Sequence, residues 1–345
     1  MRTTTGWQST DGSTALRKVT VERRELRTDD IAVRVDHCGV CHSDLHALHG
    51  LGEGTLIPGH EFTGTVVATG PDAGRFAVGD RVAVGNIVDS CGSCPLCARG
   101  QENYCEAFPT LTYGGTDRVD GTPTQGAYTR EYVLREAFAH RLPDGLDPAA
   151  AAPLMCAGVT VWEPLRAAGI GPGSRVAVAG LGGLGHLAVK FAVAFGAEVT
   201  VLSRTTAKAG DARALGAAGL LPTTDERRTA EARGRFDLIV DTISVPHDVA
   251  PLLELLTLDG TLSLVGHLGE VQVNVLDLCV GRKKLTSAGS GGLPATAEML
   301  EFCAEHGITA EVEVLPSARV GEALERLERG DVRYRFVLDM SDLDG

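Results

Sequence analysis

The stretch Arg175-Val176-Ala177-Val178-Ala179-Gly180-Leu181-Gly182-Gly183-Leu184-Gly185-His186 decides the fold. Its first five residues read as a short buried strand, and the next six match G-x-G-x-x-G. Helical spacing then runs from His186 to Phe195, and Glu198 to Leu202 returns to strand. Glycines here permit a tight turn, close backbone approach to a pyrophosphate and tight helix–strand packing. The helix N-terminus offers free N–H groups and a positive dipole end to phosphates. The motif alone also occurs in structural turns. Strand before, helix after and a βαβ unit around it make Gly180, Gly182, Gly183, Leu184 and Gly185 a dinucleotide-binding turn.

The end of the next strand separates NAD from NADP. A carboxylate there would bind the ribose 2′-OH, whereas a basic or hydroxyl-rich loop accommodates a 2′-phosphate. The sequence reads Val201-Leu202-Ser203-Arg204-Thr205-Thr206-Ala207-Lys208, with cations and hydroxyls but no carboxylate. Arg suits phosphate through its planar fork and Lys as a point charge. Ser203, Arg204, Thr205 and Lys208 therefore point to NADP(H), against a plain solvated loop.

Further out, residues 236–240 and 261–265 are strand candidates, 296–306 and 317–329 amphipathic helices, and 334–339 a closing strand. Strands alternating with helical stretches predict a parallel sheet. Before a change of pattern near Pro153 the chain reads as short strands and turns, with strands at 31–35, 64–68 and within 78–84.

A length of 345 residues allows two cores. The apolar share of 43% and charged share of 22% are ordinary globular values, and 43 glycines fit many tight turns. A net charge of −13 argues against a nucleic-acid or anionic-membrane binder, since both need a positive surface field. No stretch has the apolar length of a membrane span, and Met1 to Trp7 lacks a signal-peptide core, so the cytoplasm is expected.

Nine cysteines, an odd number, point to thiols and metal ligands rather than a disulfide framework. Cys91, Cys94, Cys97 and Cys105 follow C-x2-C-x2-C-x7-C, enough thiolates to close a tetrahedral shell around a structural zinc. An iron–sulfur cluster is the chemical competitor, and a nucleic-acid-binding zinc module fits poorly because the loop is not basic. A second set is dispersed: Cys41-His42-Ser43-Asp44-Leu45-His46, Pro58-Gly59-His60-Glu61, and Cys156. Cys, His and Cys would leave a fourth position for water or substrate, as a catalytic zinc requires. Spacing alone does not join them. Lone histidines such as His49, His140, His247, His267 and His306 read as surface or satisfied core residues. Cys279 and Cys303 read as buried free thiols.

Several motifs occur in one order: Cys38-Gly39-Val40-Cys41-His42-Ser43-Asp44, Pro58-Gly59-His60-Glu61, the four-cysteine loop, Ala157-Gly158-Val159-Thr160, the glycine turn, and Asp331-Val332-Arg333-Tyr334-Arg335-Phe336. Together they resemble the cinnamyl alcohol dehydrogenase-like branch of the zinc-dependent medium-chain dehydrogenases, from Gly6-Trp7 almost to the C-terminus. The resemblance implies an α/β protein with a GroES-like β-rich catalytic domain at 1–152 and 292–345. A Rossmann doubly wound parallel-sheet domain at 153–291 would bind NADP(H), with substrate in the cleft between the two. It implies that Cys41, not Cys38, joins His60 and Cys156 on a catalytic zinc, which Glu61 can approach during ligand exchange. Asp44 would hold the second His60 nitrogen, the support such ligands usually have; a local Asx/ST turn is the plainer reading of Ser43 and Asp44. Ser43 would face the reacting oxygen, His46 end the proton relay, and His42 contact cofactor phosphate. Thr160, Thr242 and Val265 complete the expected cofactor contacts.

The reaction so implied is hydride transfer between NADPH and a small-molecule aldehyde held on zinc, with two zinc ions per chain. Reduction of an imine, iminium or activated alkene is the alternative on this scaffold, and a non-catalytic NADPH-binding protein a third. A homodimer is expected, with a tetramer as the alternative. Leu111-Thr112-Tyr113 lacks the aromatic residue that plant lignin-type members tend to carry before the Ser/Thr-Tyr step. Ser287-Ala288-Gly289-Ser290-Gly291-Gly292 has no aromatic residue either, and the segment from Cys105 to Pro123 is slightly long. A more open pocket for a different or larger aldehyde is one reading, and a flexible loop where glycines replace side-chain bulk is an equally simple one.

Overall fold

Parallel strands fill the unit Ala157–Ser290, one of two into which the chain divides; the other is Met1–Cys156 with Gly291–Gly345. The structure, a computed structural model, describes every residue except Glu53, Leu268 and Gly345. The first unit holds β1 (Arg175–Ala179), β2 (Glu198–Ser203), β3 (Gly219–Pro222), β4 (Phe236–Asp241), β5 (Leu256–Leu264) and β6 (Lys284–Ser287). They lie in the order β3-β2-β1-β4-β5-β6, every pair parallel. The order reverses beside β1, the switch point where such sheets bind ligands beyond their strand ends. Covered on both faces, β1 buries Val176 to Ala179 without interruption. Leu202, Phe236, Ile239, Leu253 and Leu262 fill the core on one side of this sheet.

The glycine turn leads into helix α1 (Gly185–Ala194). Strand β5 begins five residues before the 261–265 expected from periodicity, because a register shift opposite Phe236–Leu238 admits the polar turn residues Asp259 and Gly260. Cys279 corrects the buried-thiol reading: it is exposed, at the end of the short helix Val275–Cys279, whose apolar residues Val275 and Leu276 are exposed too. Cys303 is buried.

The second unit carries a seven-stranded sheet in the order Val312–Pro316, Arg335–Asp339, Asp30–Val40, Phe62–Thr69, Arg81–Val84, Ala139–Arg141, with Glu131–Arg135 also paired to Asp30–Val40. Only its first pair is parallel. Arg2–Gln8 and Arg17–Arg23 form a separate antiparallel pair that the polar, Thr-rich sequence does not announce. The helix expected at 296–306 spans Leu293–His306, since Pro294 is accepted in its first turn. The one expected at 317–329 splits into a 3-10 turn, Ser317–Arg319, and Val320–Glu328. Among the described residues no helix is long and apolar enough to cross a membrane.

Candidate active site and metal centres

The register of the mixed sheet assembles the dispersed motifs. Cys38 pairs with Phe62 across antiparallel strands, so Cys41, just past one strand, and His60, just before the other, emerge at the same end. Phe336 pairs with Val40 on the other side, which brings Arg335 to this end as well. Cys156 arrives after the 3-10 turn Ala152–Met155. Its close approach requires Gly85, where a Cβ would stand 2.8 Å from the Met155 carbonyl oxygen.

Cys41 Sγ lies 3.9 Å from Cys156 Sγ, and His60 Nε2 lies 3.3 Å from the same sulfur. All three donor atoms fall within 4.8 Å of one another. Tetrahedral zinc, with Zn–S of about 2.3 Å and Zn–N of about 2.0 Å, needs donors about 3.5–3.8 Å apart. The set fits a single zinc ion. The Cys41 thiol is pushed well below its ordinary range by the hydrogen bond from Cys156, with Arg335 and His60 adding. Cys38 takes no part: it is fully buried, its sulfur 3.7 Å from the Gly39 carbonyl oxygen.

Asp44 lies under this set with no exposed surface. Its Oδ1 faces His60 Nδ1 at 3.1 Å and accepts the Gly59 N–H at 3.0 Å. Its Oδ2 accepts the Cys41 N–H at 2.9 Å, a local turn bond at a helix start, and the Tyr128 hydroxyl at 3.1 Å. The supporting and turn readings of Asp44 thus describe one carboxylate. Tyr113 packs edge-on against the His60 ring, centroids 5.6 Å apart. Glu61, also fully buried, accepts from Arg335 through Oε1, while among the described residues Oε2 has no hydrogen-bond partner. Burial pushes its carboxyl up to about 7 despite the opposing charge of Arg335. Gly39 makes room for it, since a Cβ there would meet Glu61 Oε1 at 2.3 Å.

Ser43 and His46 lie three apart on the helix His42–His49, hence on one face, and both are exposed. Ser43 Oγ is 3.7 Å from Cys41 Sγ. His42 is half-buried, and that burial holds its imidazole below the ordinary value, with Arg335 and His46 adding to the effect.

The four-cysteine loop closes on itself. Cys91 and Cys97 sulfurs lie 3.9 Å apart, and all four lie within 4.8 Å of one another. Backbone N–H groups of Cys91, Cys94 and Cys97 donate to the sulfurs of Cys105, Cys91 and Cys94 at 3.4, 3.4 and 3.5 Å. Such donors favour thiolates, and the backbone N–H groups of Ser93 and Cys94 bring Cys91 down to about 6. The separations suit one ion in a sulfur tetrahedron, rather than a cluster that must fit several iron atoms between the thiolates.

In the parallel-sheet unit, Gly185 packs on the Gly180 carbonyl, where a Cβ would come to 2.2 Å, whereas one at Gly182 would meet nothing within 4 Å. That open face is the room a pyrophosphate needs. Gly183 and Leu184 complete the turn ahead of α1. Thr242 Oγ1 donates to the Ala179 carbonyl at 2.8 Å, just under the turn. Val265 is buried at the end of β5, and Thr160 Oγ1 accepts from the Ser290 N–H at 3.2 Å. Ser203 ends β2, Arg204 and Thr205 are exposed beyond it, and Lys208 Nζ donates to the Leu181 carbonyl at 2.8 Å.

A family model described as alcohol dehydrogenase GroES-like domain matches residues 27–144, and one described as zinc-binding dehydrogenase matches 183–305. The "Probable formaldehyde dehydrogenase AdhA" of Bacillus subtilis is 44% identical, over 94% of this chain and 94% of that protein. The chain belongs to the zinc-binding dehydrogenases. Within this family it is 44% identical to an NADP-dependent alcohol dehydrogenase C 1 of Mycolicibacterium smegmatis, over 99% of both chains. It also matches the solved structure of a cinnamyl alcohol dehydrogenase from Sorghum bicolor with a TM-score of 0.94, at 40% identity and 98% coverage of each chain. A GroES-like domain and a Rossmann domain are thus the two folds present.

Sequence reasoning missed two residues of this zinc-binding dehydrogenase site. Arg335 stands only inside a family motif, and Tyr128 in none of the motifs. A buried cation beside a strand of Phe, Val and Leu was a usable signal for Arg335; no local pattern marks Tyr128.

Proposed function

We propose that this protein is a zinc-dependent NADP(H) alcohol dehydrogenase acting as an aldehyde reductase, an oxidoreductase of the EC 1.1.1 type. The observation that carries the reading is the convergence of Cys41, His60 and Cys156, among the described residues three donors rather than four, in addition to a separate four-thiolate cluster. A structural site consumes four protein ligands, and a set of three suits catalysis. When bound, zinc supplies Lewis-acid polarisation of a carbonyl and NADPH supplies hydride.

The chain's own residues do the rest. Cys41, His60 and Cys156 hold the metal, and Asp44 fixes the His60 ring so that Nε2 points at it. Ser43 hands its hydroxyl proton to the nascent alkoxide, and His46, on the same helix face, returns a proton from solvent. Glu61, tethered by Arg335, is the carboxylate that assists ligand exchange. Residues 153–291 serve the dinucleotide, and 1–152 with 292–345 the chemistry. Gly180, Gly182, Gly183, Leu184 and Gly185 cradle the pyrophosphate, Thr160, Thr242 and Val265 line its path, and His42 contacts a phosphate. Ser203, Arg204, Thr205 and Lys208 take the 2′-phosphate, Lys208 from its anchor on the glycine turn. The NADP-dependent relative and the solved cinnamyl alcohol dehydrogenase support this assignment.

Leu111 and Gly289 carry no aromatic bulk, which favours aldehydes larger than or different from cinnamyl ones. Strand β6 is the last of its sheet, flanked by exposed Leu258, Val275, Leu276 and Val280. Such an edge with apolar flanks suits pairing with a second copy, hence a homodimer. Metal sites built on reduced thiols fit the cytoplasm. A screen of NADPH consumption over aromatic, aliphatic and terpenoid aldehydes tests the reading, with one imine and a parallel NADH series. Turnover of the imine alone would overturn it.

A further inference from the structure

Among the described residues four donors stand within 3.1 Å of Asp44, two on each oxygen, and they differ in origin. The Cys41 amide belongs to a metal ligand, the Gly59 amide precedes another, and His60 is itself the ligand. Among the described residues two tyrosines reach Asp44 from elsewhere in the chain, Tyr113 and Tyr128, and the Tyr128 hydroxyl, 84 residues along, stands 3.1 Å from Oδ2. Tyr128 is held on every side. Its ring has no exposed surface. Its backbone N–H donates to the Pro58 carbonyl at 2.9 Å, and its own carbonyl accepts from the Trp7 N–H at 2.8 Å. The Gly59 backbone lies so close to the ring that a Cβ at Gly59 would stand 2.6 Å from Tyr128 Cδ1. The hydroxyl is therefore aimed at Asp44 Oδ2 by a fixed ring.

We propose that Tyr128 is a positioning residue for the catalytic metal, its hydroxyl setting the orientation and strength with which Asp44 grips His60. The inference rests on the reading of Cys41, His60 and Cys156 as catalytic zinc ligands. A hydrogen bond to a carboxylate is charge-assisted and directional. With it, Asp44 is clamped at both oxygens, and the His60 ring is held in line by Asp44 at Nδ1 and by Tyr113 at its face. Without it, Oδ2 keeps the Cys41 amide but loses the one hydroxyl aimed at it by a fixed ring, the carboxylate rotates more freely, and the direction of Nε2 loosens. Outer partners of metal ligands commonly govern metal affinity by about 10–100-fold. Tyr128 stands one bond further out, so an effect near the lower end is expected.

Tyr128→Phe keeps the ring and removes only the hydroxyl. Tyr132→Phe is the matched control: an equally buried tyrosine whose hydroxyl ends on the Thr112 carbonyl, 2.7 Å away. The readouts are zinc transfer from the holoenzyme to a chromophoric chelator, resolved for the two sites, and the visible spectrum after Co(II) replaces the catalytic-site zinc. Tyr128→Phe is expected to release catalytic-site zinc about ten-fold faster and to shift the Co(II) bands. Its four-cysteine site should release at the wild-type rate, which also reports an intact fold. Tyr132→Phe should leave both catalytic-site readouts unchanged. Wild-type release and spectrum in Tyr128→Phe, or equal changes in both variants, would overturn the proposal while the zinc reading stands. A Tyr128→Phe chain that loses its four-cysteine metal would overturn it too, since the hydroxyl would then serve folding. A wild-type chain that takes up no metal at Cys41, His60 and Cys156 overturns the functional reading and this one together.

Discussion

Arg335 donates to Glu61 Oε1 where neither side chain reaches solvent, their exposures being 3% and 0%. The pair joins the strand Arg335–Asp339 to the carboxylate next to His60, and among the described residues it leaves Glu61 Oε2 without a hydrogen-bond partner. A buried charge tethered at one oxygen and bare at the other is equipped to approach a cation without leaving its anchor.

Removing one member of a buried pair leaves the other charge uncompensated, at a cost of about 3–5 kcal/mol. Arg335→Met should therefore lower stability by about 3 kcal/mol, at the low end because burial lets Glu61 take up a proton instead. The double variant Glu61→Gln/Arg335→Met should recover more than half of that loss. Urea unfolding of the three chains checks this, and a single variant within about 1 kcal/mol of wild type would count against the pairing.

Cofactor choice should divide within one loop. Arg204 is exposed and belongs only to the 2′-phosphate reading, so Arg204→Ala should raise the KM for NADPH by about ten-fold and leave NADH unaffected. Lys208 also braces the Leu181 carbonyl of the glycine turn, so Lys208→Ala should weaken both cofactors. Steady-state kinetics with each dinucleotide separates the two behaviours.

His140, which belongs to neither ligand set, supplies a pH dependence. Burial pushes its imidazole from 6.5 down to about 4, with Arg75 adding. The unfolded chain takes up this proton below pH 6.5 and the folded one only near pH 4, so stability falls as pH drops through that window. At about 1.4 kcal/mol per unit the loss is about 3 kcal/mol. His140→Gln should flatten unfolding free energy against pH by that amount between pH 6.5 and 4.

The four-thiolate loop should behave as a separable brace. Cys94→Ser should lose one zinc per chain and open residues 91–105 to proteases. Metal analysis and limited digestion report it, and a variant that keeps both ions would contradict the assignment.

The Rossmann half of the fold was legible because its signals are local: an apolar strand, a glycine turn and a helical period follow one another between Arg175 and Phe195. Register shifts and exposed apolar helices were not, which is why β5 began early and Cys279 proved exposed. Within the site, the ligands lay in dense motifs, whereas their supports lie far along the chain. Tyr128 meets Asp44 across 84 residues and Arg335 meets Glu61 across 274. Those contacts come from antiparallel register and from a turn laid over Gly59, and no sequence period encodes either.

The most direct test follows NADPH oxidation by an accepted aldehyde before chelation, after removal of metal from the Cys41–His60–Cys156 site, and after zinc is restored. The account predicts turnover that falls by at least about a thousand-fold on removal, returns with zinc, and stays absent in Cys41→Ser while NADPH still binds. Undiminished aldehyde reduction by the metal-free chain would contradict it.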